Sequence, residues 1–141
     1  MVLISGAIVF KEDRGKLTWF VVKQTDDGDW EIPKVVVRKV ESSVRASLRM
    51  VGEQGGMDVK VLEEAGRSGG VVTVNNKVLP QRQIYYLLHC TSGDGDVVGF
   101  SEYEWLEYAS AIRKLTSKRE RLMLKQARDE YKKWKKTVVE E

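Results

Sequence analysis

Cysteine and histidine are almost missing from this 141-residue chain, which has one of each, Cys90 and His89. A single cysteine excludes an internal disulfide and a cysteine-based zinc site. A single histidine argues against a His-rich metal centre and a Ser-His-Asp triad. Neither residue has a neighbour that would make it a nucleophile, so both read as structural. Proline is scarce, at 2 residues, and no apolar run approaches the 18 or so residues of a membrane span. With 42% apolar and 32% charged residues, the composition excludes disordered and low-complexity classes. The opening MVLISGAIVFKEDRGK has no basic region ahead of its apolar run and reads as a first strand, not a signal peptide. One domain over residues 1–141, with no membrane contact and in a reducing cytoplasm, is the expectation.

Net charge is +3, but it is unevenly spread. Residues 111–136 hold eleven Lys/Arg against Glu120, Asp129 and Glu130, a surplus of +8 that leaves −5 for the rest. Such a block attracts polyanions or simply solvates a helix face.

Residues 3–10 and 17–23 are β-rich runs around a turn containing Gly15 and read as a hairpin. QTDDGDW (24–30) is a loop, and its Asp26, Asp27 and Asp29 are explained by turn chemistry. Residues 31–40 are extended, since Pro33 disfavours a helix. From Ser42 to Gln54 the period changes: Val44, Leu48 and Val51 share one helical face, Ser42 or Ser43 caps it, and Gly55-Gly56 stops it. Strands are expected at 57–66 and 81–90, with a separate hairpin at 71–78 turning on Asn75-Asn76. A turn at 92–96 precedes a last strand at 97–106. Ser117-x-x-Glu120 is a capping box opening a basic helix over about 117–136, with Leu122, Met123, Ala127, Tyr131 and Trp134 as its apolar stripe. The elements imply a single α/β or α+β domain.

The stretch from Trp30 to Met57 reads WEIPKVVVRKVESSVRASLRMVGEQGGM. It resembles the Nudix superfamily, whose box is Gly-x5-Glu-x7-Arg-Glu-U-x-Glu-Glu-x-Gly-U, with U a bulky apolar residue. On that pattern the spaced Glu falls on Glu41, the Arg on Arg49, the first U on Val51, the next Glu on Glu53, and the closing Gly-U on Gly56-Met57. Trp30, Pro33 and Lys34, the 5–10 strand and Trp105 are also similar to the family, in particular to small diadenosine-tetraphosphate pyrophosphohydrolases. The resemblance covers about residues 4–130. It implies an α/β/α sandwich with a mixed sheet, a box loop-helix at 34–57 and a long C-terminal amphipathic helix. It also implies a nucleoside di- or polyphosphate ligand and hydrolysis with Mg²⁺ or Mn²⁺. Arg49 is implied to hold a box glutamate, and Glu53 to be the surviving catalytic carboxylate.

Three slots depart from the pattern: Val35 replaces the leading Gly, Met50 a Glu and Gln54 a Glu. Positions 50, 53 and 54 converge on one helix patch. Hard cations want several oxygens, and here the patch keeps one carboxylate. The leading expectation is therefore a protein that binds a phosphorylated nucleoside but hydrolyses it weakly or not at all, with no cofactor where the reaction is lost. Residues 34–54 carry +3, and Lys34 and Arg38 are the candidate phosphate contacts. Tyr86 is the candidate for stacking on a base, with Arg82 and Gln83 nearby. The alternative is an active hydrolase in which Glu53, Glu41 and Gln54 are completed by a carboxylate outside the box, Glu102 or Glu104. A third reading is an RNA-binding or protein-interaction module using the basic helix, with Tyr131 or Trp134 stacking on bases.

Overall fold

The computed structural model describes residues 1–93 and 97–140. Strands β1 (Val2–Asp13) and β2 (Lys16–Lys23) form the expected hairpin. Its turn, Arg14-Gly15, has φ of 54° and 78°, the paired positive values of a two-residue turn that matches strand twist. A short β3 (Lys34–Val36) and helix α1 (Ser43–Glu53) follow, so only three residues of the 31–40 segment become strand. Two long strands, β4 (Asp58–Val74) and β5 (Lys77–Ser92), are joined at Asn75-Asn76, whose φ values of 50° and 63° repeat the same turn geometry. The hairpin expected at 71–78 is present, but its first arm and the strand expected at 57–66 are one continuous strand running through Gly66–Gly70, and its second arm opens the long β5.

The last strand, β6 (Glu102–Leu106), begins later than expected because residues 97–101 make other bonds. Helices α2 (Tyr108–Lys114) and α3 (Lys118–Glu140) close the chain. Most of the turn expected at 92–96 lies outside the described residues. Among the described residues no helix is long and apolar enough to cross a membrane.

The sheet order is β4-β5-β1-β2-β6, with β1 and β5 parallel and the other pairs antiparallel. One edge of β1 is taken by β5 from Val2 to Phe10. The other edge forks: β2 holds it from Phe10 to Asp13, and β3 takes it at Ile4–Gly6. The peptide linking the two branches is held by Ala7 N–H donating to Pro33 O at 2.9 Å and by reciprocal bonds between Val22 and Glu31.

Alternation along the strands sends side chains to two cores. Ala7, Val9, Phe20, Val22 and Leu88 pack with Met50 and Val51 of α1 on one face. Ile8, Phe10, Trp19, Val21, Tyr85 and Leu87 pack under α2 and α3 on the other. The result is a mixed sheet between helices, as the sequence resemblance implied. His89 stacks on Phe10 at 4.8 Å between ring centres and meets Trp134 at 5.2 Å. Burial holds its imidazole below the ordinary value, so it stays neutral in this aromatic stack.

Candidate functional site

Ser42 caps α1 by accepting a hydrogen bond from Arg45 N. Its first turn is pinned to β1 by the Ser5 hydroxyl, which donates to Ser43 O at 2.6 Å and sits 2.6 Å from Ser47 Oγ. Upstream, Glu41 ties the entering loop to the helix. Arg49 donates to both of its oxygens, at 2.7 and 3.1 Å, and Arg38 N–H adds a third bond at 3.0 Å. Those bonds hold the Glu41 carboxyl down at about 2. Stability from this pair is complete above the ordinary carboxylate value of 4.5 and is lost as pH falls through about 2. Acid unfolding curves of the wild type and Glu41→Gln are expected to differ at neutral pH and to converge over that window.

The three departing box slots are built into the packing. Met50 is 0% exposed and lies among Ala7, Val9, Phe20 and Leu88. Val35 packs against the same cluster from β3. Gln54 caps the end of α1, donating to Met50 O at 2.8 Å, and its own carbonyl accepts from Gly99 N at 3.1 Å. A Cβ at Gly99 would collide with the Gln54 side chain, so glycine is required where residues 97–101 cross the end of the helix. Phe100 then packs edge-on to Phe20, with ring centres 5.9 Å apart.

Glu53 is exposed at the end of α1. Glu102 pairs with Lys23 at 3.3 Å and Glu104 with Lys114 at 3.6 Å, both on β6. Among the described residues, no three His, Cys, Asp or Glu side chains come together as a metal site. A protein site for Mg²⁺ supplies one or two carboxylates, with water and substrate phosphates completing the shell. Met50 is buried and apolar, Gln54 is neutral and Glu41 is held by Arg49, so Glu53 stands as the single carboxylate on offer in the box. The donor set at this box does not fit an ion held by the protein alone.

A second constellation lies on the opposite face of the sheet, at the fork of β1. Glu120, 4% exposed, accepts from Ile32 N–H at 2.9 Å, Lys34 Nζ at 2.6 Å and the Tyr85 hydroxyl at 2.9 Å. Lys34 also donates to Ile32 O at 2.9 Å and faces Glu31 at 3.5 Å, so its ammonium is occupied within the protein. Burial, reinforced by the Glu120 charge, pushes the Tyr85 phenol well up, and it remains a hydrogen-bond donor. Burial also raises the Glu31 carboxyl, partly opposed by Lys34.

The capping box at Ser117 is half realised. Ser117 Oγ accepts from Glu120 N–H at 3.3 Å, but the glutamate side chain reaches across to the fork instead of back to the cap. A recess of about 150 Å³ opens beside this cluster, lined by Trp30, Glu31, Lys34, Gln83, Tyr85 and Glu120, with Asp29, Thr116, Ser117 and Arg119 at its margin.

The expected site residues therefore separate. Lys34 and Gln83 line the recess with Trp30. Tyr86, next to Tyr85, points to the other face, where its hydroxyl meets Ser43 Oγ. Arg38 is exposed on the box loop, and Arg82 borders a shallow groove with Arg67, Ser68 and Gly69. Glu120 went unnoticed in the sequence as a site residue, although it is the only acid between 111 and 128. On α3, Tyr131 and Trp134 pack on Phe10 and Trp19, which turns both rings inward and leaves lysines outside.

No family model matches the sequence, and no curated protein does. Solved structures do match. An Ap4A hydrolase from C. elegans superposes with a TM-score of 0.69 at 19% identity, over 89% of this chain and 95% of that one. The dihydroneopterin triphosphate pyrophosphohydrolase of E. coli gives 0.68 at 15%, over 88% and 92%. The NUDIX domain of Shewanella oneidensis NrtR, solved with ADP ribose, gives 0.67 at 16%, over 92% and 87%. Across about nine tenths of its length, the chain resembles the Nudix superfamily in fold.

Proposed function

We propose that this protein binds a nucleoside di- or polyphosphate and hydrolyses it weakly or not at all. The observation that supports this most is the position of Met50, fully enclosed in an apolar core where the Nudix box has a carboxylate. With Gln54 under the 97–101 crossing and Glu41 committed to Arg49, Glu53 is left without partners for a Mg²⁺ or Mn²⁺ ion. Phosphoanhydride cleavage needs such an ion to neutralise charge and activate water. The similar structures include an Ap4A hydrolase, a dihydroneopterin triphosphate pyrophosphohydrolase and a domain holding ADP ribose, which favours a ligand of the same class.

The recess at the β1 fork is the seat for the base end of that ligand. Its volume, about 150 Å³, is below the roughly 300 Å³ of a whole-ligand pocket. It therefore takes one ring system and leaves the phosphates outside. Glu31 and Asp29 accept from ring N–H groups, and Trp30 supplies an apolar wall. The exposed Arg119 at the margin and Arg38 on the box loop are the cations for phosphate.

Calorimetric titration with nucleoside diphosphates, dinucleoside polyphosphates and ADP ribose is expected to give binding that persists in EDTA. Phosphate release should stay at background in Mg²⁺. Metal-dependent turnover abolished by Glu53→Gln would overturn the loss of hydrolysis. Absence of affinity for every one of these ligands would overturn the binding.

A further inference from the structure

The hydrogen-bonded chain at the β1 fork is closed in its middle and open at both ends. In the middle, the Tyr85 hydroxyl lies 2.8 Å from Gln83 Oε1 and 2.9 Å from Glu120 Oε2, which also accepts from Lys34 Nζ at 2.6 Å. Lys34 turns its other donors to Ile32 O at 2.9 Å and, loosely, to Glu31 Oε1 at 3.5 Å.

At one end is the Glu31 carboxylate. Its side chain is only 28% exposed, and among the described residues neither oxygen accepts a hydrogen bond of ordinary length. Reciprocal main-chain bonds with Val22 fix the residue, so its place depends on backbone and not on a side-chain partner. At the other end is the Gln83 amide. Its oxygen is taken by Tyr85, and among the described residues its NH₂ group has no acceptor. Both ends line the recess, and partly enclosed polar groups of this kind gain most from a partner that excludes water.

An ionised carboxylate only accepts, and it presents two oxygens side by side. Its complement is a pair of parallel N–H donors, held bidentately. Among nucleotide rings that pair occurs on one edge, the ring N–H and 2-amino group of guanine, which pterins share as a 2-amino-4-oxopyrimidine. Adenine and cytosine place an acceptor nitrogen beside their amino group, and uracil flanks its one N–H with two carbonyls. Each of these sets a lone pair against the Glu31 charge. The guanine edge also ends in a carbonyl oxygen, the acceptor that the Gln83 NH₂ group lacks.

The geometry points to a recess that selects the 2-amino-4-oxopyrimidine edge of guanine or a pterin. Glu31 accepts from the ring N–H and the 2-amino group, and Gln83 donates to the carbonyl oxygen. Trp30, with Lys114 Nζ 4.5 Å from its ring centre, gives the seated ring an apolar wall. Lys34 and Glu120 satisfy each other and serve as positioning residues. This assignment rests on the ligand binding proposed above and adds which ring the recess takes.

Calorimetric titration in EDTA is expected to rank GDP above IDP, which lacks only the 2-amino group, and IDP above ADP. GDP and ADP should differ by about tenfold to a hundredfold, the range for one bidentate base contact. Neopterin triphosphate carries the same edge on the other ring system. Preference over ADP for GDP alone, for neopterin triphosphate alone or for both identifies the ring taken, and each supports the edge. Glu31→Gln should bring the preferred ligand down to the affinity of ADP, because an amide turns its own N–H groups against the ligand's donors. Gln83→Leu should weaken the preferred ligand and leave ADP unchanged. Both variants keep the Glu120 bonds to Ile32, Lys34 and Tyr85, so the melting transition should stay in place. Equal affinity for GDP, neopterin triphosphate and ADP, or a preference indifferent to Glu31→Gln, would overturn the assignment and leave nucleotide binding standing. No affinity for any of them would overturn both.

Discussion

Glu120→Ala is expected to lower the unfolding free energy by about 3–5 kcal/mol, the range for removing one partner of a buried ion pair. Ile32 N–H loses its acceptor, Lys34 Nζ loses its closest one, and the Tyr85 hydroxyl is left with Gln83 Oε1 at 2.8 Å. The lysine is left largely enclosed without its closest countercharge, and desolvation of that ammonium dominates the loss. Urea unfolding should show the midpoint displaced with little change in slope, as expected when stability falls and the denatured state is unaltered. Lys34→Met placed on top of Glu120→Leu should recover part of the deficit, because the stranded charge is gone. Ile32 N–H would still lack its acceptor, while the Tyr85 hydroxyl can turn to Gln83 Oε1 at 2.8 Å, so recovery should be incomplete. An Ala variant with wild-type stability would refute this account of the cluster.

Met50→Glu is expected to be at least as damaging, although it restores the residue type of the Nudix box. The side chain at 50 is enclosed in an apolar cluster with Ala7, Val9, Phe20 and Leu88, and the neighbouring Arg49 is already paired with Glu41. Burying a lone carboxylate costs several kcal/mol, a large share of the 5–15 kcal/mol that typically holds a domain together. The combined change Val35→Gly, Met50→Glu and Gln54→Glu should therefore lose cooperative unfolding before it gains turnover. Denaturation curves with and without Mn²⁺, run beside a phosphate-release assay, distinguish the outcomes. A stable triple variant with metal-dependent phosphate release would show that the core at 50 yields easily to a charge.

Local signals carried much of the fold. Gly15 and Asn75-Asn76 marked two turns because positive φ is needed there, and those residues tolerate it. Ser42 and the 44-48-51 spacing marked α1 because capping and burial act within one or two turns of chain. The stripe through Met123, Ala127 and Tyr131 gave α3 its inward face. What escaped detection was set by partners far along the chain. The spans 57–66 and 71–78 read as separate elements, yet β4 continues from one to the other because β5 supplies the hydrogen bonds. Residues 97–101 alternate like a strand, but Gly99 N–H is claimed by Gln54, 45 positions earlier.

The candidate site divides in the same way. The Glu41–Arg49 bond lies within one motif and was implied by the resemblance, and the structure contains it. Lys34 looked like a phosphate contact because its box neighbours are basic. Its nearest anion is 86 residues away on another element, and no local pattern points to that.

The branching of β1 between β2 and β3 has one more consequence. The Trp30–Lys34 linker is shaped by main-chain bonds from Val22 and Ala7, none of which draws on a side chain of α1. On the function proposed above, recognition at that cleft and chemistry at the helix lie on separate sides of one wall. Such a wall allows the second to decay over evolutionary time while the first endures.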